Sequence, residues 1–169
     1  LITGASDGIG KKIYTDLKKL GAKVIGTSNQ KKVKGLLQVN FDDTKSVKNF
    51  LYKLDKINKV DILINNAGTN ILNPVHKLID NDIYKLIKIN TIAPTILTKI
   101  ISKKMIRNKY GRIINISSIF GEITKEKRVL YSITKSGLNG LTKGSAIDLA
   151  KNQILVNSVS PGFVLTKLT

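Results

Sequence analysis

Leu1-Ile2-Thr3-Gly4-Ala5-Ser6-Asp7-Gly8-Ile9-Gly10 opens the chain and runs directly into Lys11–Leu20, KKIYTDLKKL. Leu1–Thr3 reads as the end of a buried strand. Three glycines then mark a tight turn, and Ile13, Leu17 and Leu20 recur at the three-to-four-residue spacing of one apolar helix face. A strand, a glycine turn and a helix in that order leave backbone N–H groups exposed at the helix start. The helix dipole there favours an anion such as a pyrophosphate. The spacing differs from the usual G-x-G-x-x-G, and a merely structural turn would read the same way.

Outward from this stretch the pattern repeats. Gly21 stops the helix, Ala22–Thr27 reads as a strand, and polar Ser28–Lys34 leads to a short strand at Leu36–Val39. Asn40–Asp43 turns into a helix near Ser46–Leu54. Val60–Ile64 is a strand ending in Asn65-Asn66-Ala67-Gly68. Asn81–Arg107 reads as two helices broken near Ala93-Pro94, because proline cannot donate within a helix. Strand Gly111–Ile116 closes on Ser117-Ser118, a helix spans about Leu130–Ala150, and strand Leu155–Val159 ends in Ser160-Pro161-Gly162. Strands alternating with helices, with near-continuous apolar strands, imply a parallel sheet covered on both faces. The expected fold is α/β: a doubly wound, Rossmann-type parallel sheet in three layers, one domain over residues 1–169. Ligands bind such sheets beyond the carboxyl ends of the strands, and every Gly-, Asn- or Ser-rich motif above falls at one.

The composition narrows the chemistry. A chain of 169 residues with 41% hydrophobic residues can bury a core. No apolar run approaches the roughly 20 residues of a membrane span. Without cysteine there are no disulfides or thiolate metal sites, which suits a cytoplasmic protein. One histidine, His76, rules out a histidine metal cluster and reads as an ordinary loop side chain, so no metal site is expected. The 29 basic against 11 acidic residues are scattered on solvated helix faces beside Asn and Ile. Aromatics at 5%, with no basic stripe among them, argue against a nucleic-acid partner. Leu1-Ile2 reads as the tail of a strand and the chain stops soon after Pro161-Gly162, so a domain truncated at both ends is expected.

Ser117–Lys135, SSIFGEITKEKRVLYSITK, carries the acid–base groups. Residues four apart on a helix share a face, so Tyr131 and Lys135 reach one pocket. A phenol titrates near pH 10, and a neighbouring ammonium is expected to lower that value. Such a pair suits proton exchange with a carbonyl or alcohol oxygen. At the other end, the strand Ala22–Thr27 should finish beside an adenosine ribose, where an Asp or Glu would select NAD. Ser28 and Asn29 stand there instead, with Lys11, Lys31 and Lys32 near, so NADP(H) is favoured and NAD(H) is the alternative.

Thr3–Gly10, Asn65–Gly68, Asn90, Ser118, Tyr131-x-x-x-Lys135 and Pro161-Gly162 together resemble the short-chain dehydrogenase/reductase family in order and spacing across the chain. The resemblance implies an NAD(P)-dependent oxidoreductase with a catalytic tetrad of Asn90, Ser118, Tyr131 and Lys135. In it Tyr131 is the general acid/base, and Lys135 binds the nicotinamide ribose and lowers the phenol. Ser118 bonds the substrate oxygen, and Asn90 holds a water of a proton relay. Cofactor contacts carry over to Gly4, Ser6, Asp7, Gly8, Ile9 and Gly10 around the pyrophosphate. Ser28 and Asn29 fall at the ribose, Asn40 and Phe41 at the adenine, and Asn66, Ala67 and Gly68 at the ribose and sheet. Pro161, Gly162, Val164 and Thr166 fall at the carboxamide side. Ser117 is expected to face the core or cap the following turn. Within the family, Ala22–Thr27, Tyr110–Ile114 and Ser160–Phe163 are similar to 3-oxoacyl-[acyl-carrier-protein] reductases, which implies fatty acid biosynthesis. An acidic acyl carrier protein would meet Lys103, Lys104, Arg107 and Lys109, and a homotetramer would form through Thr91–Arg107 and Leu130–Ala150. Alternatives are a sugar or other secondary-alcohol dehydrogenase of the family, or a non-catalytic dinucleotide-binding protein.

Overall fold

The computed structural model describes residues 1–165. Its elements are α1 (Gly8–Lys19), β1 (Gly26–Ser28), β2 (Leu36–Gln38), α2 (Thr44–Asp55), β3 (Ile62–Asn65), α3 (Asp80–Ile87), α4 (Ala93–Arg107), β4 (Gly111–Ile116), α5 (Val129–Leu149) and β5 (Ile154–Val159). Every pairing is parallel: β1 with β2, β3 with β4, and β4 with β5. Ile2 joins the two groups by bridging Gly26 on one side and Ile64 on the other. The N-terminal segment therefore lies at the centre, and successive strands go first to one side of it and then to the other. The crevice at this reversal is where ligands bind such sheets.

Two cores cover the two faces and make three layers. On one, Phe50 and Leu54 of α2, Leu97, Ile101 and Met105 of α4, and Leu149 of α5 meet Leu63, Ile113, Ile154 and Val156 of the sheet. On the other, Ile13, Tyr14 and Leu17 of α1 pack over Ile2, Ala5, Ile64 and Ile116. Leu54 and Ile101 are fully buried, and each such side chain contributes roughly 1.5–3 kcal/mol of apolar transfer. Asp7 and Asp43 start α1 and α2 by accepting Gly8 N–H and Ser46 N–H.

Three local expectations change. The strand expected at Ala22–Thr27 is hydrogen-bonded as β1 only over Gly26–Ser28, although Ile25 also bonds Ile2. The break expected at Ala93-Pro94 is a π-helical turn, Lys88–Ile92, and the chain stays helical from α3 into α4. Pro94 sits in the first turn of α4, where its missing N–H is tolerated. Lys104 is not a surface cation: it is 4% exposed, and its Nζ donates to the Asp55 carbonyl at the end of α2 at 3.1 Å. It fastens α2 to α4, so the proposed acidic partner would meet Lys103, Arg107 and Lys109 without it. His76 lies exposed in a 3₁₀ turn, Val75–Lys77. Among the described residues no helix is long and apolar enough to cross a membrane.

Candidate active site

A cleft of about 610 Å³ opens at the carboxyl ends of the strands, where the strand order reverses. Its floor is the turn after Ile2. Gly4 holds a left-handed backbone (φ +67°), which favours glycine, and a Cβ there would stand 3.0 Å from Ala67 Cα. Thr3 Oγ1 accepts from Asn66 N and Ala67 N, both at 2.9 Å. Asn66 Nδ2 donates back to the Thr3 and Gly4 carbonyls at 2.9 and 3.1 Å. The glycine turn and the Asn65–Gly68 turn are thus one stitched unit. Ser6, Asp7, Gly8 and Ile9 line the cleft at the start of α1.

Gly10 does not line it. It is buried, and a Cβ there would collide with the Gly4 carbonyl and the Asn66 amide, so this glycine serves close packing of helix on turn. Ser28 also stays out of the cleft: its Oγ bonds Ser6 Oγ at 2.9 Å and accepts Gln30 N–H at 3.0 Å. Asn29 lines the cleft beside Thr27 and Gln30, which the sequence reading missed although they flank the same strand end. Beyond them Asn40 and Phe41 form a wall with Val39 and Asp42, and Lys88 Nζ lies 3.6 Å from Asp42 Oδ1.

At the opposite end stand Ser118, Tyr131 and Lys135, with Gly68, Pro161, Gly162 and Val164 closing the sides. Thr166 lies outside the described residues. Lys135 Nζ donates to the Ile116 carbonyl at 2.7 Å and sits 5.6 Å from the Tyr131 ring centroid. Burial pulls the Lys135 ammonium down to about 8. The net shift of the Tyr131 phenol is upward, not downward as the Tyr-Lys spacing suggested. Burial pushes it up, and the opposing pull of the Ser118 hydrogen bond and the Arg128 charge is weaker. Ser118, not Ser117, caps the turn Ile119–Gly121: its Oγ accepts Phe120 N–H at 3.2 Å, which leaves its O–H to donate elsewhere. Ser117 lines the cleft, and its Oγ–H faces the Lys135 carbonyl at 3.4 Å.

Asn90 is 1% exposed, and both amide hydrogens and one lone pair of its oxygen are committed. Oδ1 accepts Thr69 N–H at 2.9 Å, while Nδ2 donates to Thr69 O at 2.8 Å and Thr134 Oγ1 at 3.1 Å. It locks the loop after Gly68 onto α5 from within the π-helical turn, a feature frequent at functional sites. Thr69 and Thr134 were invisible as partners because they lie 21 and 44 residues away in sequence.

The shape fits a dinucleotide: N–H groups of a helix start at one end, an aromatic wall beside it, and an alpha carbon without a side chain at Gly68 near Tyr131 and Lys135. A fold of this kind with this constellation defines an NAD(P)-dependent oxidoreductase acting on CH–OH groups. The family model described as short chain dehydrogenase matches residues 1–169, and the chain belongs to that family. It is 41% identical to the 3-oxoacyl-[acyl-carrier-protein] reductase FabG of Rickettsia conorii, covering 100% of this chain and 73% of that protein. The Escherichia coli reductase of that name is 35% identical, with 74% of its length covered. A 4-hydroxyisoleucine dehydrogenase solved with NADH and succinate superposes with a TM-score of 0.92 at 32% identity, over 99% of this chain and 77% of that one. ElxO with NADP bound superposes at 0.88 and 30% identity, over 98% and 73%.

Proposed function

We propose that the protein interconverts a ketone and a secondary alcohol, with NADPH as its preferred cofactor. The juxtaposition of Ser118, Tyr131 and Lys135 at the end of a dinucleotide-shaped cleft carries this reading. The bound nicotinamide supplies or takes the hydride. The chain handles the proton. Tyr131, with its pKa raised, stays protonated at neutral pH and gives that proton to the carbonyl oxygen as the alcohol forms. Ser118 holds the same oxygen by the O–H that its turn leaves spare. Lys135 binds the ribose, and its positive charge lowers the cost of the phenolate left behind. Because the Asn90 amide is committed, a relay water would rest on the Asn90 backbone carbonyl, to which Pro94, four residues on, has no N–H to give.

The preference for NADPH is supported by the end of β1, where Asn29 and Gln30 face the cleft and no carboxylate follows Thr27. Titrating NADPH and NADH against the protein tests it: NADPH should bind at least tenfold more tightly, and equal affinity would refute the preference. The likeness to the FabG reductases supports 3-oxoacyl groups on an acidic carrier protein as substrate, met by exposed Lys103, Arg107 and Lys109. An absorbance assay with acetoacetyl thioesters, ketones and sugars tests the activity. No turnover of any of them, with NADPH bound, would support the non-catalytic reading instead. Assembly as a tetramer is supported by the open face of α5, where Ile133 and Ile147 are 57% and 79% exposed around Gly140 and Gly144.

A further inference from the structure

Glu122–Leu130 separates Ser118 from Tyr131 and carries charges whose purpose the sequence alone does not disclose. In the structure the segment builds one rim beside the phenol. Phe120 packs edge-on against Tyr131 (ring centroids 6.3 Å apart) and against Phe163 (6.1 Å). The Arg128 guanidinium lies 5.0 Å from the Phe120 ring centroid, and Lys125 Nζ 5.5 Å from that of Phe163. Arg128, Phe120, Phe163 and Lys125 thus form two cations laid on a shared aromatic shelf that ends at Tyr131. Neighbouring Gly162 and Val164 line the cleft itself.

Among the described residues neither cation is in an ion pair with a carboxylate. The ion pairs among them are Lys12–Asp16, Lys59–Asp61 and Lys88–Asp42. Of the two acids of the segment, Glu122 Oε1 accepts from Asn139 Nδ2 at 2.7 Å, and Glu126 lines a separate groove that Lys125 also borders, so Arg128 is the cation of the shelf with no acid beside it. A guanidinium seated over a ring face keeps N–H donors free to pair with a planar oxyanion.

From this arrangement we infer that the substrate is an oxo acid or hydroxy acid whose carboxylate is held by Arg128, while its carbonyl or alcohol carbon faces Tyr131. The inference rests on the ketone–alcohol reading above. It makes Arg128 a specificity-determining residue and departs from a neutral acyl thioester as the best substrate. Arg128 is the N-cap of α5, three residues before Tyr131, which agrees with a carboxylate placed a few atoms from the reacting carbon.

The test uses NADPH oxidation with matched pairs: 4-oxopentanoate against its methyl ester, acetoacetate against its methyl ester, and dihydroxyacetone phosphate against dihydroxyacetone. The acids should be preferred over the esters by at least tenfold in kcat/KM. Arg128→Gln should shrink that preference by roughly 10–100-fold, the loss expected of a charge-assisted hydrogen bond, and Arg128→Lys should restore part of it. Calorimetric binding of 4-oxopentanoate to the NADPH-bound protein gives a second readout that needs no turnover. Binding that weakens with Arg128→Gln supports the assignment. A preference for esters, an unchanged preference in Arg128→Gln, or no binding of the oxo acid to NADPH-bound protein overturns it. A preference confined to the phosphate also overturns the carboxylate assignment. Failure to bind NADPH at all would overturn the underlying oxidoreductase reading.

Discussion

Gly68→Ala separates space needed for a ligand from space needed for the fold. A Cβ at Gly68 would lie 3.5 Å from Asn90 Oδ1, 3.7 Å from Lys135 Nζ and 3.9 Å from Asn66 O, all ordinary contact distances. The protein therefore accommodates the methyl without strain. Lower entropy of the unfolded chain should stabilise the variant by about 0.4–1 kcal/mol. The same methyl stands beside Lys135 on the wall where the nicotinamide ribose is proposed to bind. NADPH affinity should fall at least tenfold, about 1.4 kcal/mol, and turnover with it. Urea unfolding and NADPH fluorescence titration read the two effects separately. Gly10→Ala is the contrast, since its Cβ meets the Gly4 carbonyl and the Asn66 amide, and overpacking of this kind costs about 1–3 kcal/mol. Wild-type NADPH affinity in Gly68→Ala would refute the placement of the ribose. A loss of stability like that of Gly10→Ala would refute the reasoning that this glycine leaves room for a ligand.

Further predictions concern the buried charge and the polar core. Burial holds the Lys135 ammonium at about 8 in the folded protein against its ordinary 10.5, so between those values the unfolded state holds the extra proton and stability rises with pH. The penalty, roughly 3 kcal/mol at 1.36 per unit, is fully present below pH 8. Lys135→Met should therefore be more stable than wild type at pH 7, by about 2 kcal/mol once the orphaned Ile116 carbonyl is subtracted. That advantage should vanish at about pH 9.5, where the remaining penalty only matches the cost of the orphaned carbonyl, and reverse above it; urea titrations across pH check this. In ketone reduction, kcat/KM should decline as pH rises through about 8 while Lys135 loses its charge, and a flat profile to pH 9.5 would contradict its role. Thr142→Val should cost about 1–3 kcal/mol, because Asn115 Nδ2 donates to Thr142 Oγ1 at 2.8 Å in the buried interior; thermal melting measures it.

Much of this was legible because local chemistry and global fold agree. The glycines after Ile2, the apolar run of β4 and the helical spacing of Tyr131 and Lys135 each signal their own structure. Their meeting at one crevice follows from parallel topology. What escaped depends on long-range contact. Pro94 reads as a helix break, yet a π-helical turn absorbs it. Lys104 reads as a surface cation until the end of α2 is packed beside it. Gly10 and Ser28 sit within motif positions but support the turn from behind, and sequence spacing alone cannot tell a lining residue from its buttress. The charges of Lys125–Arg128 have no periodicity, and only the rings beneath two of them give them direction.

The proton transfer assigned to Tyr131 is most directly tested by Tyr131→Phe in a single-turnover experiment with preloaded NADPH and a ketone that the wild type reduces. Removing one hydroxyl from a ring packed on Phe120 leaves the fold in place. NADPH affinity should remain within about twofold, whereas the rate of NADPH oxidation should drop by about 10²–10⁴. A rate within a few-fold of wild type would contradict the account.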